Sequence, residues 1–185
     1  MPIDLFSIIG QLLIGWLIAD LVGGVLHWLE DRIAREAIPW LGRVIVAPNR
    51  RHHREPMAFL AGTVLDRNLS TWGVTAICTL LWLLMFGPSI VLLAAAIGAA
   101  LSSTVHTLAH GGAKTRWINV LQQVGLIQSP AHHAGHHRPP SDRRYCVLTN
   151  WLNPVLDALG LWARLEASLL LLGVATDPAA TADDR

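Results

Sequence analysis

Leu5 to Leu26 is an apolar run interrupted only by Ser7, Gln11 and Asp20, and it restricts the chain to folds that include a bilayer. At about 1.5 Å per residue a helix of this length reaches roughly 33 Å, enough to cross a hydrocarbon core of about 30 Å. Met1-Pro2-Ile3-Asp4 has no basic side chain and no small-residue cleavage site follows. The run is therefore expected to be a retained membrane helix rather than a signal peptide. Two further apolar runs, 72–86 and 89–108, flank Gly87-Pro88, which marks a tight turn between antiparallel helices. The second is rich in Ala, Gly and Ser, as close helix packing in lipid requires. Apolar residues make up 52% of the 185 and charged residues 15%, against about 25% charged in a soluble domain.

The remaining segments are polar. Residues 32–71 carry arginines at 32, 35, 43, 50, 51, 54 and 67 and are expected on the water side. Residues 117–127 read as a short amphipathic helix, 130–145 as an irregular His- and Arg-rich stretch, and 151–172 as a helix lying on the membrane surface. Residues 1–175 are expected to form one domain and 176–185 a disordered tail. Three spans put 27–71 and 109–185 on the same side, and all 14 Lys and Arg fall there. The positive-inside rule makes that side cytoplasmic. The expected architecture is all-α: three transmembrane helices with a cytoplasmic, helical, His-rich cap. A net charge of +1 and the absence of a basic stripe argue against a nucleic-acid partner. Cys78 and Cys146 are too few for a disulfide framework and are expected to be free thiols.

Histidine is the outlying residue. There are nine, all on the polar side or at its membrane boundary, in four clusters. His27 and Asp31 stand one helical turn apart, on the same face as Gly24 and Asp20. Asp20 lies inside the span, where a carboxylate needs an interior position and a partner. It is either a packing group or one that holds a ligand histidine. His52-His53 follow Asn49-Arg50-Arg51 in a basic loop. His106 and His110 share a helix face at the end of the third span, with Ser103. His132-His133-x-x-His136-His137 pairs 132 with 136 and 133 with 137 on a helix or tight turn. Neutral imidazole suits Zn, Cu, Fe and Ni. Nine histidines plus Asp31 are too many ligands for one ion, whereas two six-coordinate ions offer about twelve positions. That arithmetic favours a dinuclear iron centre and leaves two zinc ions open. Asp31 and Asp20 are the candidate catalytic acids.

The segment Ser129 to Pro140, Tyr145-Cys146, Thr149 to Asn153 and Leu161 to Glu166 resemble the Kua/CarF-type lipid desaturase family. This family includes plasmanylethanolamine desaturases and the plant enzyme that places a trans double bond in an acyl chain of phosphatidylglycerol. His27-Trp28-x-x-Asp31, Arg51-His52-His53-x-x-Pro56 and His106-x-x-Ala109-His110 fit in the same order, so the resemblance covers residues 20–166. It implies an oxygen-dependent oxidoreductase with a non-haem di-iron centre that desaturates a lipid alkyl or acyl chain near its head group. The chain has no cysteine cluster for iron–sulfur binding and no dinucleotide fingerprint, so the resemblance also implies an external donor, a ferredoxin or cytochrome b5-like protein. The same centre could instead hydroxylate a lipid or carotenoid chain. A non-catalytic metal transporter or haem-binding membrane protein is a third reading; a transporter would place ionisable ligands along the spans, where only Asp20 lies. Thirteen arginines against one lysine suggest a GC-rich bacterium and hence its inner membrane.

Overall fold

The computed structural model describes residues 4–111, 115–174 and 176–177. Helix α1 spans Leu5–Arg32, α2 Ala47–Arg54, α3 Val64–Phe86, α4 Ile90–Ala109, α5 Arg116–Gln123, α6 Pro130–His133, α7 Leu152–Ala158 and α8 Leu161–Leu171. A π-helical turn, Gly42–Val46, runs directly into α2. The described residues contain no strand. Helices α1, α3 and α4 are each long and apolar enough to cross a membrane.

Local signals set the ends of these helices. Asp4 caps α1 by accepting from the Ser7 amide. Thr63 and Asp66 form a reciprocal capping box, so α3 starts well before the apolar run expected at 72 and takes in Arg67 and Asn68. Ser89 caps α4 directly after the Gly87-Pro88 turn. The perimeter of the bundle is apolar and open, with Phe6 87%, Leu84 75% and Phe86 71% exposed, as lipid contact requires.

Helices α1 and α4 run parallel in constant register. Gly15 packs on Ala94, Ala19 on Gly98, and His27 lies beside His106, each pair 79 positions apart (15 and 94, 19 and 98, 27 and 106). The approach is close enough that a Cβ on Gly15 would lie 2.3 Å from the Val91 carbonyl oxygen. Packing of small residues is the main source of helix association in lipid, where no hydrophobic drive operates. Helix α3 pairs antiparallel with α4: Trp72 donates to the Ala100 carbonyl at 3.1 Å and Ser103 to that of Arg67 at 2.7 Å. The carboxyl ends of α1 and α4 and the amino end of α3 therefore meet at one end of the bundle, under the polar cap.

The cap is irregular backbone held by side chains. Tyr145, Cys146, Leu148 and Thr149 are fully or almost fully buried. Cys146 lies against Gly24, where a Cβ would be 2.6 Å from its Sγ. Asn153 accepts from the Cys146 amide at 3.0 Å and donates to its carbonyl at 2.8 Å. The Leu148 and Thr149 amides donate to the Asp20 carboxylate at 2.7 and 3.1 Å. Non-helical backbone thus reaches the depth of a spanning helix, which is permitted because protein groups satisfy it.

Further details differ from the sequence reading. His52-His53 sit on α2 rather than in a loop, because Pro48 opens a helical turn that the preceding π-helical turn feeds. The expected helix over 151–172 is two helices, broken at Gly160, which takes a left-handed φ of 60°. The amphipathic helix stops at Gln123, before Gly125 with φ of 75°. Cys78 and Cys146 are both free. Asp177 is buried, donating its amide to the Arg32 carbonyl at 2.9 Å and pairing with Arg50. The rest of the expected tail, 178–185, lies outside the described residues.

Candidate metal centre

Two groups of ligand atoms converge under the cap. His52, His106, His110, His133 and His137 form one; His27, Asp31, His53 and His136 form the other. Within each group the candidate ligand atoms all lie within 4.8 Å of one another. The groups stand side by side, the rings of His53 and His137 being 4.9 Å apart between centroids.

Helix periodicity explains how the sequence clusters divide. His106 and His110, one turn apart on α4, stay together, as do His27 and Asp31 on α1. His52 and His53 are adjacent on α2, so their side chains diverge by about 100° and reach different groups. The turn after α6 does the same for its histidines: His133 and His137 enter the five-histidine group and His136 the other. His132 enters neither. Its Nε2 accepts from Asn153 at 3.1 Å, and its carbonyl from Arg144 at 3.2 Å. Asp20 is also outside both groups, its oxygens taken by Leu148 and Thr149.

In the five-histidine group the contacts run between Nε2 atoms. His52 lies 3.0 Å from His106 and 3.0 Å from His110, which are 3.2 Å from each other. His133 lies 2.9 Å from His106, 2.8 Å from His110 and 3.0 Å from His137. Hydrogen bonds cannot account for this. Among three mutually adjacent nitrogens, at least two are alike, both donors or both acceptors. Two nitrogens bound at right angles to one ion, each at about 2.05 Å, stand roughly 2.9 Å apart. The spacing fits a shared cation.

Electrostatics agrees. Burial, reinforced by the neighbouring imidazoles, lowers His52 and His137 to about 2 and His110 to about 4, and pushes His133 lower still. These side chains are held neutral, the form that binds metal.

The second group has its tautomers fixed by the backbone. His27 Nδ1 lies 3.0 Å from the Tyr145 carbonyl and His136 Nδ1 2.7 Å from that of Arg143. A carbonyl only accepts, so each Nδ1 carries the proton and each Nε2 presents a lone pair. Neither of these buried Nε2 atoms has a hydrogen-bond partner. Asp31 stands 3.2 Å from His53, 3.3 Å from His136 and 3.5 Å from His27. Asn49 donates to Oδ1, the oxygen that faces His53, while His27 and His136 face Oδ2. The donor set, three imidazoles and one carboxylate, fits iron or another imidazole-binding transition metal.

The sequence reading missed the roles of Asn49, Asn153 and the carbonyls of Tyr145 and Arg143. Asn49 had a legible signal, because it shares a helical face with His52 and His53 at i+3 and i+4. The carbonyls had none, since any residue supplies one.

The lipid desaturase domain model matches residues 16–177. A probable fatty acid desaturase of Acanthamoeba polyphaga mimivirus is 29% identical over 161 residues, which cover 85% of this chain and 80% of that protein. The plasmanylethanolamine desaturase of Myxococcus xanthus is 30% identical over 170 residues, covering 86% of this chain and 59% of that one. Plasmanylethanolamine desaturase 1 of Mus musculus is 28% identical over 169 residues, with 82% and 61% covered. The chain thus spans about three fifths of the length of the latter two. No solved structure matches.

Proposed function

The chain belongs to the lipid desaturase family, and on that premise we propose that it is an oxidoreductase that introduces a double bond into a membrane lipid chain close to the head group. The observation that carries this reading is the meeting of two ligand groups at the polar end of three spans. That depth is where the first carbons of a lipid chain lie when its head group stays at the interface.

In this reading His52, His106, His110, His133 and His137 hold one ion, and His27, Asp31, His53 and His136 the other. Zinc is redox-inert, so iron is the metal proposed. When bound, an iron pair supplies oxygen activation and the oxidising capacity to take two hydrogens from adjacent carbons. The chain's own residues orient and tune the site. Tyr145 and Arg143 aim two imidazoles, Asn49 steadies Asp31, and burial keeps the remaining rings neutral. His132 and Asp20 act from outside, through the loop over 145–153.

The net reaction consumes one O2, two electrons and two protons, and yields the alkene and two waters. The electrons come from a ferredoxin or cytochrome b5-like donor, docked on the arginine-rich face. That face is cytoplasmic in this reading, the chain is a multi-pass protein of a bacterial inner membrane, and residues 1–175 act as one domain.

The test is incubation of the iron-loaded protein with a reducing ferredoxin system, O2 and glycerophospholipids, followed by mass spectrometry. Loss of about two mass units from a lipid is expected, by the stoichiometry of the proposed chemistry. A gain of about sixteen instead would assign a hydroxylase.

A further inference from the structure

A slot of about 460 Å³ follows the seam between α1 and α3. Helix α4 packs along both, while α1 and α3 make little contact of their own. Val22, Gly23 and Leu26 form one wall, and Val74 and Cys78 belong to the other. The inner end is His27, His52 and His106, so the slot opens on both ligand groups. Glu30 and Arg67 lie at this polar end. The lining residues of α3 run from Asp66 to Cys78, twelve helical steps or roughly 18 Å at about 1.5 Å per residue.

Three properties identify the occupant. The volume is within the usual range for a ligand cavity. The long axis lies along two membrane-spanning helices, and most of the lining surface is apolar, with hydroxyls from Ser70, Thr71, Thr75, Ser102 and Ser103 among it. The side facing the bilayer is not sealed, because Val22 is 46% and Leu26 37% exposed while both line the slot.

Gly23 marks the opening. A Cβ there would meet no atom within 4 Å, whereas Gly24 beside it is pressed against Cys146. Gly23 is not needed for packing, and its missing side chain widens the slot.

We propose that the α1–α3 slot binds one hydrocarbon chain of a membrane lipid, which enters sideways from the bilayer past Gly23 and presents its head-group end to His27, His52 and His106. This rests on the desaturase reading for its purpose, but the binding is testable without turnover.

The probe is a phosphatidylethanolamine with a diazirine in one chain, mixed into phosphatidylcholine nanodiscs holding the metal-loaded protein. After photolysis, peptide mapping reads the adducts. In the wild type they should concentrate on residues 20–30 and 66–78. Gly23→Leu should lower them roughly tenfold, the scale of overpacking a filled site, with metal content unchanged. Gly73→Leu is the control: Gly73 also has open space around it and does not line the slot. Val74→Phe narrows the opposite wall and repeats the test should Gly23→Leu fail to fold. Labelling that is equally strong on the exposed α4 residues Leu93, Ile97 and Leu101, or that is indifferent to both slot variants, would overturn the proposal. Slot labelling without turnover in any variant would sink the desaturase reading alone. Full turnover in Gly23→Leu would sink the slot alone.

Discussion

The Leu148 amide donates to the Asp20 carboxylate at 2.7 Å across 128 positions of sequence, inside a membrane-spanning helix. Thr149 adds its amide at 3.1 Å and its hydroxyl at 2.6 Å. Three residues before Leu148, Tyr145 offers the carbonyl that accepts from His27 Nδ1 and so keeps the ring's proton on that nitrogen. One short loop thus links the Asp20 carboxylate to His27, and in the proposed reading Asp20 is a positioning residue.

Asp20→Ala leaves three buried donors without an acceptor. At about 1–3 kcal/mol for each stranded buried group, partly relieved by water, the protein should lose about 2–4 kcal/mol. Thermal melting in detergent should fall, and the ion at His27 should be held more weakly. Asp20→Asn, which keeps one acceptor, should lie between. Wild-type melting and metal content in Asp20→Ala would remove this role.

Asp31 is the one carboxylate among the grouped ligands. Asp31→Ala should reduce bound metal from two ions to one per chain and abolish turnover, with membrane insertion intact. Elemental analysis of protein purified without chelator gives the count. Two ions retained in the variant would make Asp31 a bystander.

His132 and His133 are adjacent, but only His133 joins a group of candidate ligands. His133→Ala should empty the five-histidine site. His132→Ala should keep both ions and lose about 1 kcal/mol, the net worth of the hydrogen bond from Asn153. Equal metal loss in the two variants would contradict the assignment.

Metal removal should destabilise the cap. Lone pairs crowded at 2.8–3.2 Å in the five-histidine group repel unless a cation sits among them. Ferrous iron at about 100 times its Kd should stabilise the protein by about 2.7 kcal/mol. The melting temperature should rise with iron and fall again with chelator; a melting curve blind to both argues against a metal centre.

The Gly87-Pro88 turn and the cap lie on opposite sides in the three-span arrangement. In a Cys78→Ala background, Ser89→Cys should react with an impermeant maleimide added to intact cells, and Ser141→Cys should not. Cys146 is buried and can remain. The reverse pattern would put the metal site outside the cytoplasm and exclude the proposed donor.

Much of this molecule was written locally in its chain. The apolar runs 5–26, 72–86 and 89–108 read as the cores of spanning helices, in which each backbone amide is satisfied within its own helix. Odd-numbered spans leave His27, His52, His106 and His132 to His137 on one side, and the i, i+4 spacing of His27 with Asp31 and His106 with His110 places each pair on one face. Which histidine joins which partner was not legible. His52 and His53 differ by one position and go to different groups; His132, beside His133 in sequence, joins neither group. Those outcomes depend on contacts between residues far apart in sequence: Gly24 against Cys146, Asp20 against Leu148, Asn153 against His132. Periodicity acts over a few residues and sets the direction of a side chain on its own helix. The distance between two helices, and hence between two ligands, is set by the volumes packed between them, and only the tertiary structure decides that.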